Sequence, residues 1–202
     1  MPRARKKATG FLLPLPASRW TLSSVIVGVL VLLSYEAVHE FAFPVIVHDA
    51  SHTTIQACFT PGMGCQKRLI RILDAAKEEI LVETYSFTAT PLMEALVRAK
   101  KRGVSVSVIA DHGQQTAPYS KIPDLQKAGI PVLYDHSVAI AHNKVMIIDH
   151  KTVVTGSYNF TNAAEHKNAE NMLIIQNSTL VGQYRKNWLS RQSAASTPLK
   201  KG

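Results

Sequence analysis

Cysteine is almost absent from this 202-residue chain: Cys58 and Cys65 are the only two. No histidines stand at ligand spacing beside them, which excludes the usual four-ligand zinc site. The turn-rich segment FTPGMG between them can bring them together, as a disulfide in an exported chain or as two free thiols in a cytosolic one. Acid is missing from residues 1 to 20, which hold Arg3, Arg5, Lys6, Lys7 and Arg19, and residues 20 to 35 carry no charge at all. The chain has no internal repeat, and of its 8 histidines only His142 has a lysine two residues later.

What is present bounds the organisation. A length of 202 residues allows one ordinary domain with a full core plus an N-terminal extension. The net charge of +9 is uneven: residues 44 to 202 hold 18 basic and 12 acidic residues, so this part is +6. That balance suits a polyanionic substrate, and a solvated charged surface explains it equally well.

The one long apolar run, rich in Val25, Ile26, Val27, Val29, Leu30, Val31, Leu32 and Leu33, reads as a signal sequence or a marginal anchor. As a helix it reaches about 24 Å, short of a hydrocarbon core of about 30 Å unless it continues toward Phe43. No small-x-small cleavage pattern follows at Ala37 or Ala42, which favours an uncleaved anchor over a signal peptide, with a buried core helix as the alternative. Basic residues before the run and acids after it leave the N-terminus in the cytoplasm and export the rest. The expected division is therefore a basic N-terminus with the apolar segment over 1–43, a linker over 44–52, a catalytic domain over 53–192 and a disordered tail over 193–202, with membrane attachment through residues 20–43.

Chemistry concentrates in AHNKVMIIDHKTVVTGSYNF. On a strand, His142 and Lys144 point to the same face, so a nucleophile and a cation share one surface. Gly156 and Ser157 close a second β-like run; a glycine there lets the backbone approach a ligand closely, and Ser157 and Asn159 offer neutral hydrogen-bond donors. This is equipment for a phosphodiester.

The spacing of His142, Lys144, Asp149, Gly156, Ser157 and Asn159, followed by Glu170, resembles the HKD signature of the phospholipase D superfamily. The stretches TYSFTATPLMEALVRAKKRGVSVSVIAD and GSYNFTNAAEHKNAENMLII are similar to the small Nuc-type bacterial endonucleases, from about Cys58 to Trp188. The resemblance implies a homodimer whose active site straddles the two-fold axis, because superfamily chemistry uses two motifs and this chain holds one. It further implies that one His142 attacks phosphorus to give a phosphohistidine while the other protonates the leaving oxygen and then activates water. Lys144 and Asn159 would hold the non-bridging oxygens, Ser157 would add a hydrogen bond, and Glu170 would accept from the ring of His142. No metal or other cofactor is then needed. Asp149 reads as structural support, since aspartate is favoured in a turn such as DHKT. His112, His136, His150 and His166 read as solvated or packed, and Tyr85 and Phe87 as either site or core.

Periodicity places strands over 54–59, 80–87, 104–110, 130–134, 140–148, 152–155 and 169–176, and helices over 66–78, 91–103, 123–127 and 179–191. Such alternation predicts an α/β fold: a mixed β-sheet flanked by helices on both faces, a phospholipase D-like α-β-α sandwich with one HKD half per chain. Leu180, Tyr184 and Trp188 fall at helical spacing as core residues. Three functions compete. The leading one is an exported, periplasmic or membrane-anchored, metal-independent endonuclease acting on DNA, with RNA as a second candidate substrate, without strong sequence preference. The others are a phospholipid hydrolase and a binding module without turnover.

Overall fold

The computed structural model describes residues 53–196. The basic N-terminus, the apolar segment over 20–35 and the expected linker over 44–52 lie outside these residues, as do residues 197–202 of the expected tail. Seven strands form one sheet in the order β1-β7-β6-β5-β2-β3-β4. They are β1 (Thr54–Thr60), β2 (Glu79–Thr84), β3 (Ser105–Asp111), β4 (Val132–Asp135), β5 (Lys144–Ile148), β6 (Thr152–Gly156) and β7 (Glu170–Gln176). The helices are α1 (Cys65–Ala75), α2 (Thr90–Lys101), α3 (Ile122–Lys127), α4 (Asn162–His166) and α5 (Ser178–Ser196).

β2, β3 and β4 run parallel, joined by crossovers through α2 and α3, and every other neighbouring pair is antiparallel. The sheet is mixed, as the alternation of elements predicts. This connectivity gathers the ends of β1, β2, β3, β4 and β6 and the beginnings of β5 and β7 at one edge of the sheet.

Strand alternation sorts the side chains into two cores. On one face Ile80, Val82, Val108, Met146 and Ile174 meet Leu69 and Leu73 of α1, Leu92 and Leu96 of α2 and Ile122 and Leu125 of α3. On the other, Leu81, Ile109, Val145, Ile147 and Val153 meet Val181 and Trp188 of α5. Trp188 is core, as its helical spacing predicts, and its indole N–H donates to the carbonyl of Val82 at 3.2 Å. α5 continues to Ser196, so residues 193–196 of the expected tail are helical. Cys58 and Cys65 form a disulfide, Cα to Cα 5.7 Å, between β1 and the first residue of α1.

The boundaries move where side chains intercept the backbone. α1 ends at Ala75 rather than at residue 78, because the N–H groups of Lys77, Glu78 and Glu79 donate to the Asp149 carboxylate. Burial alone would raise the pKa of Asp149, but these three backbone donors hold it below the usual carboxylate range. Asp149 and His150 form the turn between β5 and β6 with φ of 51° and 54°. β5 begins at Lys144 rather than residue 140, because Ala141 N–H donates to Asp111 Oδ2 at 2.8 Å and draws the preceding loop toward β3.

Three carboxylates lie buried on the α5 side of the active edge: Glu83 on β2, Asp111 on β3 and Asp135 on β4. Each holds part of the segment leading into β5. Glu83 accepts from Asn143 Nδ2, Asp111 from Ala141 N–H, and Asp135 from Ser137 and from Arg191 of α5. Glu83 is 4% exposed. Burial pushes its pKa up to about 7, against the Asn143 hydrogen bond and the Arg191 charge and helped by the charge of Asp135. A carboxyl whose folded pKa lies above its unfolded value favours the fold fully below the unfolded value and loses that contribution as pH rises through the folded one. Glu83→Gln, which stays neutral, is therefore expected to match wild type near pH 5 and to gain up to about 3 kcal/mol on it by pH 8. Denaturant titrations across that range check this, and a gap independent of pH would contradict it.

Candidate active site

His142, Lys144, Ser157, Asn159 and Glu170 all come from the strand ends and adjoining loops of one sheet edge. Lys144 opens β5 opposite Thr84 of β2 and is 7% exposed. Its Nζ lies 2.9 Å from His142 Nδ1 and donates to the His142 carbonyl at 2.7 Å. Histidine and lysine thus meet as their spacing predicts, although His142 sits in the loop before the strand. Desolvation pushes the pKa of Lys144 down, and the charge of Glu170 opposes that shift.

Tyr85, which the sequence left open between site and core, belongs here. Its ring centroid lies 4.4 Å from that of His142 and 4.9 Å from Lys144 Nζ, so it carries the imidazole and holds the ammonium over its π face. Phe87 is core, fully buried and 5.8 Å from the ring of Phe160.

Between Gly156 and Glu170 the chain is pinned from below. Tyr158 points into the core and donates from its hydroxyl to Glu165 Oε2 at 3.0 Å, and the same oxygen accepts from Gln66 N–H at the start of α1. Burial pushes the Tyr158 phenol far up, so it remains a donor. Thr161 caps α4 by accepting from Ala164 N–H. Asn159, between these anchors, keeps its side-chain Oδ1 buried with no hydrogen-bond partner among the described residues.

Three expectations change. A Cβ on Gly156, whose φ is 150°, would lie 2.3 Å from the Asn171 carbonyl oxygen. The close approach demanding glycine is therefore to β7, not to a ligand. Ser157 does not present a free hydroxyl: it donates to Glu170 Oε2 at 2.6 Å and accepts from Asn171 N–H at 3.0 Å. Glu170 does not touch His142, whose ring is turned toward Lys144; its oxygens accept from Ser157 and, at 3.1 Å, from Asn168 Nδ2.

The sequence missed the carboxylates beneath the site and the pairing of His112 with His136, ring centroids 5.3 Å apart on neighbouring strand ends. A single acid inside the apolar run ILVET was the available signal for Glu83. His150 lies 3.4 Å from Glu79 on the opposite edge. Among the described residues no three His, Cys, Asp or Glu side chains converge as metal ligands would.

Residues 69–191 match the family described as cardiolipin synthase, PLD-like domain. The chain belongs to the phospholipase D superfamily. A phospholipase D of Rickettsia conorii is 40% identical over 148 residues, 73% of this chain and 74% of that one. The mitochondrial cardiolipin hydrolase of Xenopus laevis is 30% identical over 191 residues, 84% of this chain and 88% of that one. The crystal structure of Nuc, a phospholipase D family member from Salmonella typhimurium, is 38% identical and superposes with a TM-score of 0.66, covering 70% of this chain and 95% of that chain. In this superfamily hydrolase the His142–Lys144 pair lies at the edge where the parallel strands end, the usual place for a ligand on such sheets.

Proposed function

We propose that this protein is a metal-independent phosphodiesterase of the Nuc type, a non-specific endonuclease on DNA and RNA that works as a homodimer. The observation that carries this reading is the contact of Lys144 Nζ with His142 Nδ1 at the sheet edge to which Asn159 also belongs. An imidazole is a nucleophile when neutral and a general acid when protonated, so the two copies of His142 can divide the work. A substrate phosphate is the stronger partner for the Lys144 ammonium and draws it from Nδ1, which can then carry the ring's proton and leave Nε2 with a free lone pair for attack. One neutral His142 then bonds to phosphorus through Nε2 as the bond to the leaving oxygen breaks, and the partner subunit's His142, in its protonated form, supplies the proton and becomes neutral. Water, deprotonated by that second imidazole, displaces the phosphohistidine and restores both rings.

Two copies of Lys144 and Asn159 surround the non-bridging oxygens, and Glu170 acts on Lys144 through its charge and on the loop through Ser157. The Cys58–Cys65 disulfide supports an exported, periplasm-facing location. Identity to proteins named phospholipase D and cardiolipin hydrolase favours a second reading, a phospholipid hydrolase. The test is parallel incubation of the protein with plasmid DNA, RNA and phosphatidyl lipid vesicles in excess EDTA. Nucleic acid is expected to be cut at an undiminished rate, because the positive charge comes from Lys144 and His142. Activity lost to EDTA and restored by magnesium or zinc would overturn the mechanism, and cleavage of lipid alone would favour the second reading.

A further inference from the structure

The strongest feature outside the active site lies beneath α1. A groove of about 540 Å³ opens there between the helix and the outer strands β1, β7 and β6. Its wall carries Lys67, Arg68 and Arg71, and its floor Gln56, Gln176 and Thr152. No carboxylate lines it.

Two things mark this groove out. The first is its unbalanced charge. Elsewhere several of the described cations have acidic neighbours: Arg98 and Arg102 on Asp74, Lys121 and Lys127 on Asp124, Arg185 on Glu79, Arg191 on Asp135. Lys67, Arg68 and Arg71 make no ion pair among the described residues, although spacings of three and four place them side by side on the helix, where like charges repel. The second is the polar floor. Gln56 and Gln176 alternate with apolar Cys58 and Ile174 on the sheet face turned toward α1, where farther along the same face Met172, Val154 and Met146 are core. A sheet face beneath a helix that carries amides instead of aliphatic side chains is built to stay wet and to hydrogen-bond something.

We propose that this groove is a second phosphate-binding tract, which holds the backbone of the polynucleotide strand being cut. The inference rests on the nuclease reading above and names how that substrate is held. One end of the groove lies at Gly64, in the loop after Thr60, which pairs with Glu170 at the active edge. From there β7 runs to Gln176 for about 20 Å, room for a few nucleotides of an extended strand. A concave, amide-floored channel suits one flexible polyanion, with cations on the phosphates and glutamines on sugars or bases. A membrane offers a broad surface of headgroups that does not enter a channel of this shape.

The test uses the full chain and the triple variant Lys67→Gln, Arg68→Gln, Arg71→Gln. These side chains are exposed or half-buried, and glutamine keeps the helix propensity. Three substrates are compared: a long single-stranded oligonucleotide, bis(4-nitrophenyl) phosphate and phosphatidylglycerol vesicles. The variant is expected to lose about tenfold or more in kcat/KM on the oligonucleotide, carried by KM, and its log-log salt dependence should be shallower by about 2. Turnover of the small ester should not change. Equal oligonucleotide kinetics in wild type and variant would overturn the groove while leaving the nuclease reading intact. A parallel loss on the small ester would make the three cations structural, and a loss confined to vesicles would assign the groove to lipid. A wild-type chain that turns over the small ester but neither binds nor cuts the oligonucleotide would overturn the nuclease reading and the groove with it.

Discussion

His142→Ala is expected to abolish phosphodiester cleavage, lowering kcat by roughly a thousandfold or more, while the protein stays folded. The imidazole is exposed, and the contacts its ring makes are with Tyr85 and Lys144. Removing it therefore takes little from either core. Lys144 loses a neutral acceptor but keeps the His142 backbone carbonyl and the Tyr85 ring, so the ammonium stays in place. Purified variant and wild type, compared on an oligonucleotide and on a small phosphodiester with thermal unfolding as a control, check this. Activity within about a tenth of wild type would remove His142 from the role of nucleophile.

The second large effect concerns the second copy. One chain supplies one His142, one Lys144 and one Asn159, and the in-line displacement proposed above needs two imidazoles. A dimer of one wild-type and one His142→Ala chain is thus expected to have a single incomplete composite site and almost no turnover. Differently tagged chains, co-expressed and purified through both tags, provide the mixed dimer. About half of the wild-type activity would mean that each chain works alone, and the shared site would be abandoned. The sheet has a face suited to such a contact. Ile55 and Phe59 of β1 are 61% and 55% exposed, on the side carrying Ile175 and Leu173 and next to the edge where Thr60 meets Glu170.

Much of this was legible because it is local. A histidine and a lysine two residues apart stay within reach of each other whether the strand begins at residue 140 or at Lys144, so the pair survived an error in the strand boundary. The helices over α1, α2 and α5 follow from apolar spacing, which tertiary packing reinforces. Glu170 and Ser157 were placed at the right edge with the wrong partners, because a hydrogen bond between residues 13 apart depends on how β6 and β7 register. Tyr85 could not be assigned for the same reason: its neighbours His142 and Lys144 lie in the loop before β5 and at its start, far away in the chain.

The sequence by itself determined the alternation of elements and the residues able to do phosphodiester chemistry, since both depend on side-chain type and short spacing. Only the tertiary structure decided that Gly156 is required by the carbonyl of Asn171, that Glu83, Asp111 and Asp135 hold the segment carrying His142, and that three unpaired cations of α1 face an amide floor. Each is a meeting of residues distant in the chain, fixed by strand order and by the side of the sheet on which a helix packs, and short-range spacing carries no information about either.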